Sequence, residues 1–388
     1  MYNVKTLNKI SHLCLDIVKQ NGLTVDDAIE TPDAIMVRSA DMNAMEFADN
    51  LVCIARAGAG TNNIPVKGCA EKGIVVFNTP GANAEAVKEL VICALLMSSR
   101  DVVGGVDWVR SIADKKDEIP AAVEKGKASF IGPEIMGKTL GVVGLGAIGA
   151  KIANAAIDLG MTVYGYDPFL SVEAAWMLSS SVKNAPDLDT IYSNCDYITI
   201  HVPYIKDSTH HMLNKDTFAK MKDGVRIINL ARGELVSDDD MLEAVSSGKV
   251  ARYVTDFPNA KTANVKNIIP IPHLGASTPE SEDNCAVMAA TQLSDYLLNG
   301  NIKNSVNLPC VSLSRCGESR LCVIYRHGPN MLSSFLELMN GAGANATNMI
   351  SKQRGDFAYT IIDTDKKIGN DISEAIAKLP DVLKVRVL

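Results

Sequence analysis

The chain has no apolar stretch of about 18 residues, so no membrane-spanning helix is expected and no membrane partner. The N-terminal segment MYNVKTLNKISHLCLDIV has neither a long apolar core nor a small-residue cleavage site, so no secretory leader is read there. No basic run breaks a formal net charge of −7, which argues against nucleic acid as a partner. There is no C-x-x-C pair among nine cysteines. Cys310, Cys316 and Cys322 recur every six residues, a spacing that fits no zinc site, so no metal is expected. An odd number of scattered cysteines instead suggests reduced thiols in a cytoplasmic protein. Low-complexity segments are also missing. What remains is a globular composition, 47% hydrophobic and 21% charged, over 388 residues. That length is enough for two or three domains and a large core.

The most informative stretch is TLGVVGLGAIGAKIANAAIDLGMTVYGYDP, residues 139–168. An apolar run, Leu140–Val143, leads into Gly144-Leu-Gly146-Ala147-Ile148-Gly149. A helical pattern follows and stops at Gly160; a second apolar run then ends at Asp167. Glycines in this spacing also mark ordinary turns, and a βαβ unit without a ligand is the competing reading. The strand before, the helix after and the acid 18 residues beyond the last glycine favour a dinucleotide site. Gly144 permits the tight turn, Gly146 lets the backbone approach a pyrophosphate, and Gly149 lets helix and strand pack closely. Free N–H groups at the helix start bind the phosphates. Asp167 accepts hydrogen bonds from the adenosine ribose and repels a 2′-phosphate, which selects NAD over NADP.

This fingerprint starts near residue 140, so another domain precedes it. Ala34–Val37, Leu51–Ala55 and Ile74–Phe77 read as buried parallel strands, with helices expected at Met42–Asp49 and Pro65–Lys72. Residues 84–113 read as one long or broken helix, apolar enough to pack on something further, such as a second subunit. After Asp167 come strands at Tyr197–His201, Val225–Leu230 and Arg252–Thr255, with helices at Asp239–Ser247 and Ser281–Leu298. Residues 299–317 read as a linker. The last 70 residues follow a βαββαβ order, the ferredoxin-like plan. The expected architecture is therefore α/β. A substrate-binding domain, residues 1–97 with 287–310, is flavodoxin-like and doubly wound. A second doubly wound parallel sheet, the Rossmann-type NAD domain at 98–286, is inserted into it. A small ferredoxin-like domain occupies 318–388. Substrate is expected in the cleft between the first two.

Three constellations carry the candidate chemistry. In NLARGE, Arg232 follows the end of a strand, where open α/β sheets bind ligands and where its planar fork suits a carboxylate; a surface arginine in a turn has the same local pattern. In PIPHLGAS, prolines fix the chain before His273 and a glycine-rich turn follows it; a lone histidine is often structural, but an imidazole titrates where a general base must. In VCIARAGAGTN, a strand runs into a glycine-rich turn whose N–H groups can form an anion nest; a plain βα turn reads alike.

Taken together, these pieces resemble the D-isomer-specific 2-hydroxyacid dehydrogenases. The matching segments are VRSA (37–40), RAGAGTNNI (56–64), VFNTPGANAEAVKEL (76–90), GKTLGVVGLGAIG (137–149), YGYDP (164–168), HVP (201–203), INLARGELV (228–236) and PHLGAST (272–278). The C-terminal unit is similar to an ACT domain, a pairing that favours a phosphorylated substrate. The resemblance implies oxidation of 3-phospho-D-glycerate to 3-phosphohydroxypyruvate with NAD, the start of L-serine synthesis. Another D-2-hydroxy acid stays open, as does a non-catalytic NAD-binding scaffold. By the same resemblance His273 is the general base and Arg232 holds the carboxylate and polarises the C2 oxygen. Ala57, Gly58 and Gly60 bind the carboxylate through backbone N–H groups, while Arg38, Ser39 and Arg56 are candidates for the phosphate. Gly144, Gly146, Ala147, Ile148, Gly149, Asp167, Val202, Leu230, Ala231, Asp256, Gly275 and Ala276 line the NAD site. A homodimer or homotetramer is expected.

Two departures stand out. Family members pair the catalytic histidine with a Glu after an L-D-V-F-type segment. Here that segment is Val254-Thr255-Asp256-Phe257-Pro258, and FPNAKTANVKNIIPIP, 257–272, holds no Asp or Glu. His273 then works without the pair, or borrows Glu234, Glu280 or Glu282. In the C-terminal unit, the turn before the first helix has Asn330 where ACT domains often have Gly, which puts binding of L-serine or another amino acid in question.

Overall fold

The computed structural model describes residues 2–388. The chain divides into two compact units, Met1–Asn83 with Pro279–Leu388, and Ala84–Thr278. The expected domain limits at 97/98 and 286/287 fall inside helices.

The first unit contains two sheets. In one, β1 (Asn3–Leu7), β2 (Thr24–Asp26), β3 (Ala34–Val37), β4 (Cys53–Arg56) and β5 (Val75–Phe77) run parallel in the order β2-β1-β3-β4-β5, the doubly wound flavodoxin-like order. Helices α1 (His12–Gln20) and α2 (Val66–Glu71) make crossovers. The helix expected at Met42–Asp49 does not form. The Asp41 carboxylate accepts from the Asn43 N–H at 3.0 Å, a local turn that competes with helix, and Met42 is wholly buried.

In the second unit, α3 (Ala84–Ser99), α4 (Val102–Ser111) and α5 (Ile119–Gly126) precede the strands. The chain breaks at Asp101, whose carboxylate caps α4 through the Gly104 N–H and pairs with Arg252 at 3.0 Å. Helix α3 buries one face, whereas α4 buries no residue and leaves Val102, Val103, Val106 and Val109 exposed. Then come β6 (Thr139–Val143), α6 (Ala147–Asp158), β7 (Thr162–Tyr166), α7 (Val172–Met177), β8 (Lys183–Asn184), α8 (Leu188–Asn194), β9 (Tyr197–Ile200), α9 (Lys215–Lys220), β10 (Val225–Asn229), α10 (Asp238–Ser246), β11 (Val250–Thr255) and β12 (Ile268–Pro270). The sheet is parallel in the order β12-β11-β10-β9-β6-β7-β8. Its strand order reverses between β6 and β9, which puts the ligand crevice beyond the carboxyl end of β6.

The chain returns to the first unit as α11 (Pro279–Asn299), followed by β13 (Ser319–Arg326), α12 (Met331–Gly341), β14 (Ala346–Arg354), β15 (Phe357–Thr364), α13 (Asn370–Ala377) and β16 (Val382–Val387). These four strands form the antiparallel order β14-β15-β13-β16 of the ferredoxin-like plan. Side chains alternate across this sheet. Leu321, Val323 and Tyr325 pack on Phe335, Met339 and Ile376, while Cys322, Ile324, Tyr359 and Ile361 join a core with Val4, Met36, Ala55 and Leu293. The C-terminal sheet thus shares its core with the first sheet. Arg386 reinforces this: its guanidinium lies over the rings of Tyr2 and Tyr296 and donates to the Tyr296 and Leu297 carbonyls that end α11.

The expected linker at 299–317 is a packed strap. Ile302, Leu308 and Val311 are buried, and the Asn307 side chain accepts from Val76 N and donates to Ile74 O, covering the free edge of β5. Its polar composition conceals this, because the asparagine satisfies backbone rather than facing water. No helix among the described residues is long and apolar enough to cross a membrane. All nine cysteines are free thiols.

Candidate active site

The three fingerprint glycines occupy three different environments. Gly144 ends β6 at φ +90°, a left-handed conformation, and a Cβ there would lie 2.6 Å from the His201 carbonyl oxygen. Gly146 caps α6, and a Cβ on it would meet nothing within 4 Å. No side chain caps the first turn of α6, and Gly146 and Ala147 are exposed, so its N–H groups face open space. Gly149 is the close-packing residue: a Cβ would sit 1.8 Å from the Gly144 carbonyl oxygen. Ile148 is half-buried beside it. Asp167 follows β7, the partner of β6; its carboxylate accepts from the Leu145 N–H and the Phe169 N–H, both at 2.9 Å. These bonds fix the acid at the edge of the glycine loop and leave lone pairs on each oxygen.

The opposite end of the crevice is built from three neighbouring strand ends. Asn229, Thr255 and Pro270 are in register across β10, β11 and β12. Just beyond them come the loop of Leu230, Ala231 and Arg232, then Asp256, then His273 with Gly275 and Ala276. Leu230 is buried, Ala231 half-buried and Arg232 exposed, with its Nη1 donating to the Ala231 carbonyl at 2.6 Å. His273 is exposed, its ring 4.6 Å from that of Phe257. Asp256 is 1% exposed, and neither of its oxygens finds a donor among the described residues. A Cβ on Gly275 would come within 3.5 Å of its Oδ2. Burial pushes this carboxyl above the usual carboxylate range, while positive charge on His273 and Arg232 pulls the other way.

The carboxylate facing His273 in this unit is therefore Asp256, one residue before the acid-free loop. Glu234, on the neighbouring turn, is exposed. Glu282 is engaged by Arg38 at 2.6 Å. Val202 lies half-buried after β9. Beside it, burial pushes the His201 imidazole down to about 3; its Nε2 lies 2.8 Å from Thr199 Oγ1.

In the first unit, Arg38 and Ser39 follow β3. The Ser39 and Ala40 N–H groups donate to Asn8 Oδ1. Arg56 ends β4, donates from Nε to Asn63 Oδ1 at 3.2 Å, and lies over the glycine turn, where a Cβ on Gly58 would be 2.3 Å from its Nη1. The N–H groups of Ala57 and Gly58 are taken by the Val37 and Arg56 carbonyls. The donors left for an anion on this turn are those of Ala59 and Gly60, a shift of the expected nest toward Ala59.

The C-terminal sheet carries a cavity of about 390 Å³ bordered by Tyr325, His327, Asn330, Met331, Ser351 and Lys352. Asn330 stands at φ +61° before α12, so it supplies the left-handed turn that a glycine there would supply.

The residues fit a dinucleotide on two counts: a glycine whose missing Cβ leaves open space at a helix start, and a buried carboxylate with no donor. Comparison with known proteins agrees. Residues 95–275 match the family described as D-isomer specific 2-hydroxyacid dehydrogenase, NAD binding domain. The chain is 34% identical to D-3-phosphoglycerate dehydrogenase of Archaeoglobus fulgidus, covering 79% of this chain and 59% of that protein. Against D-3-phosphoglycerate dehydrogenase 2 of Saccharomyces cerevisiae it is 29% identical over 97% of this chain and 85% of that one. The chain spans a little over half the length of several of the curated relatives it matches. Among solved structures, NAD⁺-bound 3-phosphoglycerate dehydrogenase of Entamoeba histolytica is similar with a TM-score of 0.60 at 24% identity, covering 79% of this chain and 98% of that one. D-mandelate dehydrogenase of Rhodotorula graminis gives 0.66 at 23%, with 81% and 99% covered. At these identities the structural likeness speaks for the fold.

Proposed function

Since the chain belongs to the D-isomer-specific 2-hydroxyacid dehydrogenases, we propose that it oxidises 3-phospho-D-glycerate to 3-phosphohydroxypyruvate with NAD⁺, the first step of L-serine synthesis. The observation that carries this reading is the convergence of Arg232, Asp256 and His273 on one end of a dinucleotide crevice. The bound nicotinamide supplies the hydride acceptor. Gly146 and the first turn of α6 receive the pyrophosphate, and Asp167 takes the adenosine ribose. Asp256, buried and without a donor, is suited to the N–H groups of a carboxamide.

Arg232 holds the substrate carboxylate and polarises the C2 oxygen. His273 removes the C2 hydroxyl proton as the hydride leaves C2, and in the reverse direction returns it. The imidazolium so formed faces the Asp256 carboxylate. Asp256 thus takes over part of the work of the Glu that family members place after this strand. In the other unit Arg38, Ser39 and Arg56 are candidates for the phosphate, and the 57–60 turn for the carboxylate. The functional parts are taken as 1–97 with 287–310, 98–286 and 318–388.

The C-terminal cavity is the candidate site for L-serine or another amino acid, supported by its polar rim and by Asn330 holding the turn. The exposed valines of α4 support a homodimer, and nine free thiols support a cytoplasmic setting. NADH consumption with 3-phosphohydroxypyruvate beside pyruvate, hydroxypyruvate and 2-oxoglutarate tests the substrate. Preference for the phosphorylated acid is the expected result. Turnover of another acid alone changes the substrate, and turnover of none favours a binding scaffold.

A further inference from the structure

Asn229 was not singled out in the sequence as a site residue, yet it is wholly buried at the last position of β10. Its backbone is in register with Ile200 on one side and Thr255 on the other, so its amide is held in the middle of the sheet. From there the side chain spans the turn that carries Arg232. Oδ1 accepts from the Ala231 N–H at 3.2 Å and the Arg232 N–H at 3.4 Å; Nδ2 donates to the Arg232 carbonyl at 2.8 Å. The Tyr253 hydroxyl lies 3.4 Å from Nδ2. Two donors on one atom and two oxygen neighbours on the other leave a single sensible orientation for the amide. Asparagine suits the place because its side chain mimics a peptide group and can close a turn on its own backbone. Past Arg232 the loop is held by backbone bonds, Leu235 N–H to the Arg232 carbonyl at 3.4 Å and Val236 N–H to the Gly233 carbonyl at 3.1 Å. On the Ala231–Arg232 side the bonds come from Asn229; among the described residues the Arg232 side chain bonds only its neighbouring carbonyl.

We propose that Asn229 is a positioning residue for Arg232: its amide fixes the backbone of residues 231–232, and through it the direction of the guanidinium toward the substrate carboxylate. This rests on the reading of Arg232 given above. A serine would be too short to bridge both ends of the turn. An aspartate would keep the two accepted bonds and lose both donated ones, to the Arg232 carbonyl and the Tyr253 hydroxyl.

A double-mutant cycle with Arg232→Ala, Asn229→Asp and Asn229→Ala tests it, with steady-state kinetics on 3-phosphohydroxypyruvate and NADH. Arg232→Ala should lower kcat/KM at least about a hundredfold, on the scale of losing one preorganised charged donor. Asn229→Asp should lower kcat/KM for the acid about tenfold and raise its KM, with the KM for NADH within about threefold of wild type. The double variants should be no worse than Arg232→Ala within about threefold, because a residue that acts only through Arg232 has nothing left to position. Losses that multiply would overturn the proposal, as would an Asn229→Asp enzyme with wild-type kinetics. If Asn229→Ala does not fold, the aspartate variant still decides. An Arg232→Ala enzyme as active as wild type removes the role of Arg232 itself, a result distinct from multiplying losses.

Discussion

Replacing Gly146 or Gly149 by alanine adds the same methyl group three residues apart, and the structure assigns the two changes opposite consequences. At Gly149 the new carbon would sit 1.8 Å from the Gly144 carbonyl oxygen. Even close C–H···O contacts keep carbon and oxygen roughly 3.3 Å apart, so α6 must retreat from β6 by more than about 1 Å. Overpacking of this kind costs roughly 1–3 kcal/mol, and backbone against backbone belongs at the upper end. For a unit of this size about 3 kcal/mol lowers Tm by roughly 6–12 °C. At Gly146 the backbone stands at φ −66°, ψ −164°, open to any residue, and no protein atom lies within 4 Å of the new carbon. Only a modest capping cost remains, about 1 kcal/mol at most. The methyl would instead occupy the space a pyrophosphate needs, and the NADH Kd should rise at least about tenfold, or about 1.4 kcal/mol. Thermal unfolding by circular dichroism and NADH titration by fluorescence measure both quantities on each variant. A Gly146→Ala protein that binds NADH as wild type does would rule out a pyrophosphate against Gly146, and a Gly149→Ala protein with an unchanged Tm would rule out the close contact of α6 with β6.

Asp256→Asn removes the negative charge facing His273. The two charges interact, so without the carboxylate protonating the imidazole becomes harder, and the acidic limb of kcat/KM for hydroxy-acid oxidation should move to lower pH; a limb that stays in place contradicts the role given to Asp256. His201 predicts a stability effect. Its imidazole titrates near 3 when folded and near 6.5 when unfolded, so between these values the unfolded chain binds a proton that the folded one does not. Stability should fall as pH drops below about 6.5, by at most about 1.4 kcal/mol per unit, and be unaffected by this group above it. His201→Gln should flatten that part of the curve, and parallel melting profiles for the two proteins would count against a neutral buried imidazole.

The β6–α6–β7 unit was legible because its constraints are local: turn, close approach and helix packing each demand glycine at a fixed spacing, and the structure gives each glycine the environment expected of it. The C-terminal βαββαβ order was legible for the same reason, through period-2 and period-3.6 patterns of adequate length. The strap at 299–317 was misread because its burial depends on asparagine side chains bonding distant backbone at Ile74 and Val76, which no local pattern reveals. Helix at 42–49 failed to an Asx turn at Asp41. In the candidate site, Arg232 and His273 could be proposed from the sequence by their place after strands. The alignment of Asp256 with them depends on the register of β10, β11 and β12, a tertiary property. Asn229 carried a usable signal, since an asparagine ending an apolar strand is a candidate for closing the turn that follows.

The role of His273 in proton transfer is tested by turnover of the His273→Ala enzyme. With 3-phosphohydroxypyruvate and NADH, the wild-type chain should turn over and the variant should lose about a hundredfold or more in kcat, the usual contribution of a general acid–base, while its NADH Kd stays unchanged. A variant within a few fold of wild type would contradict the assignment of proton transfer to His273.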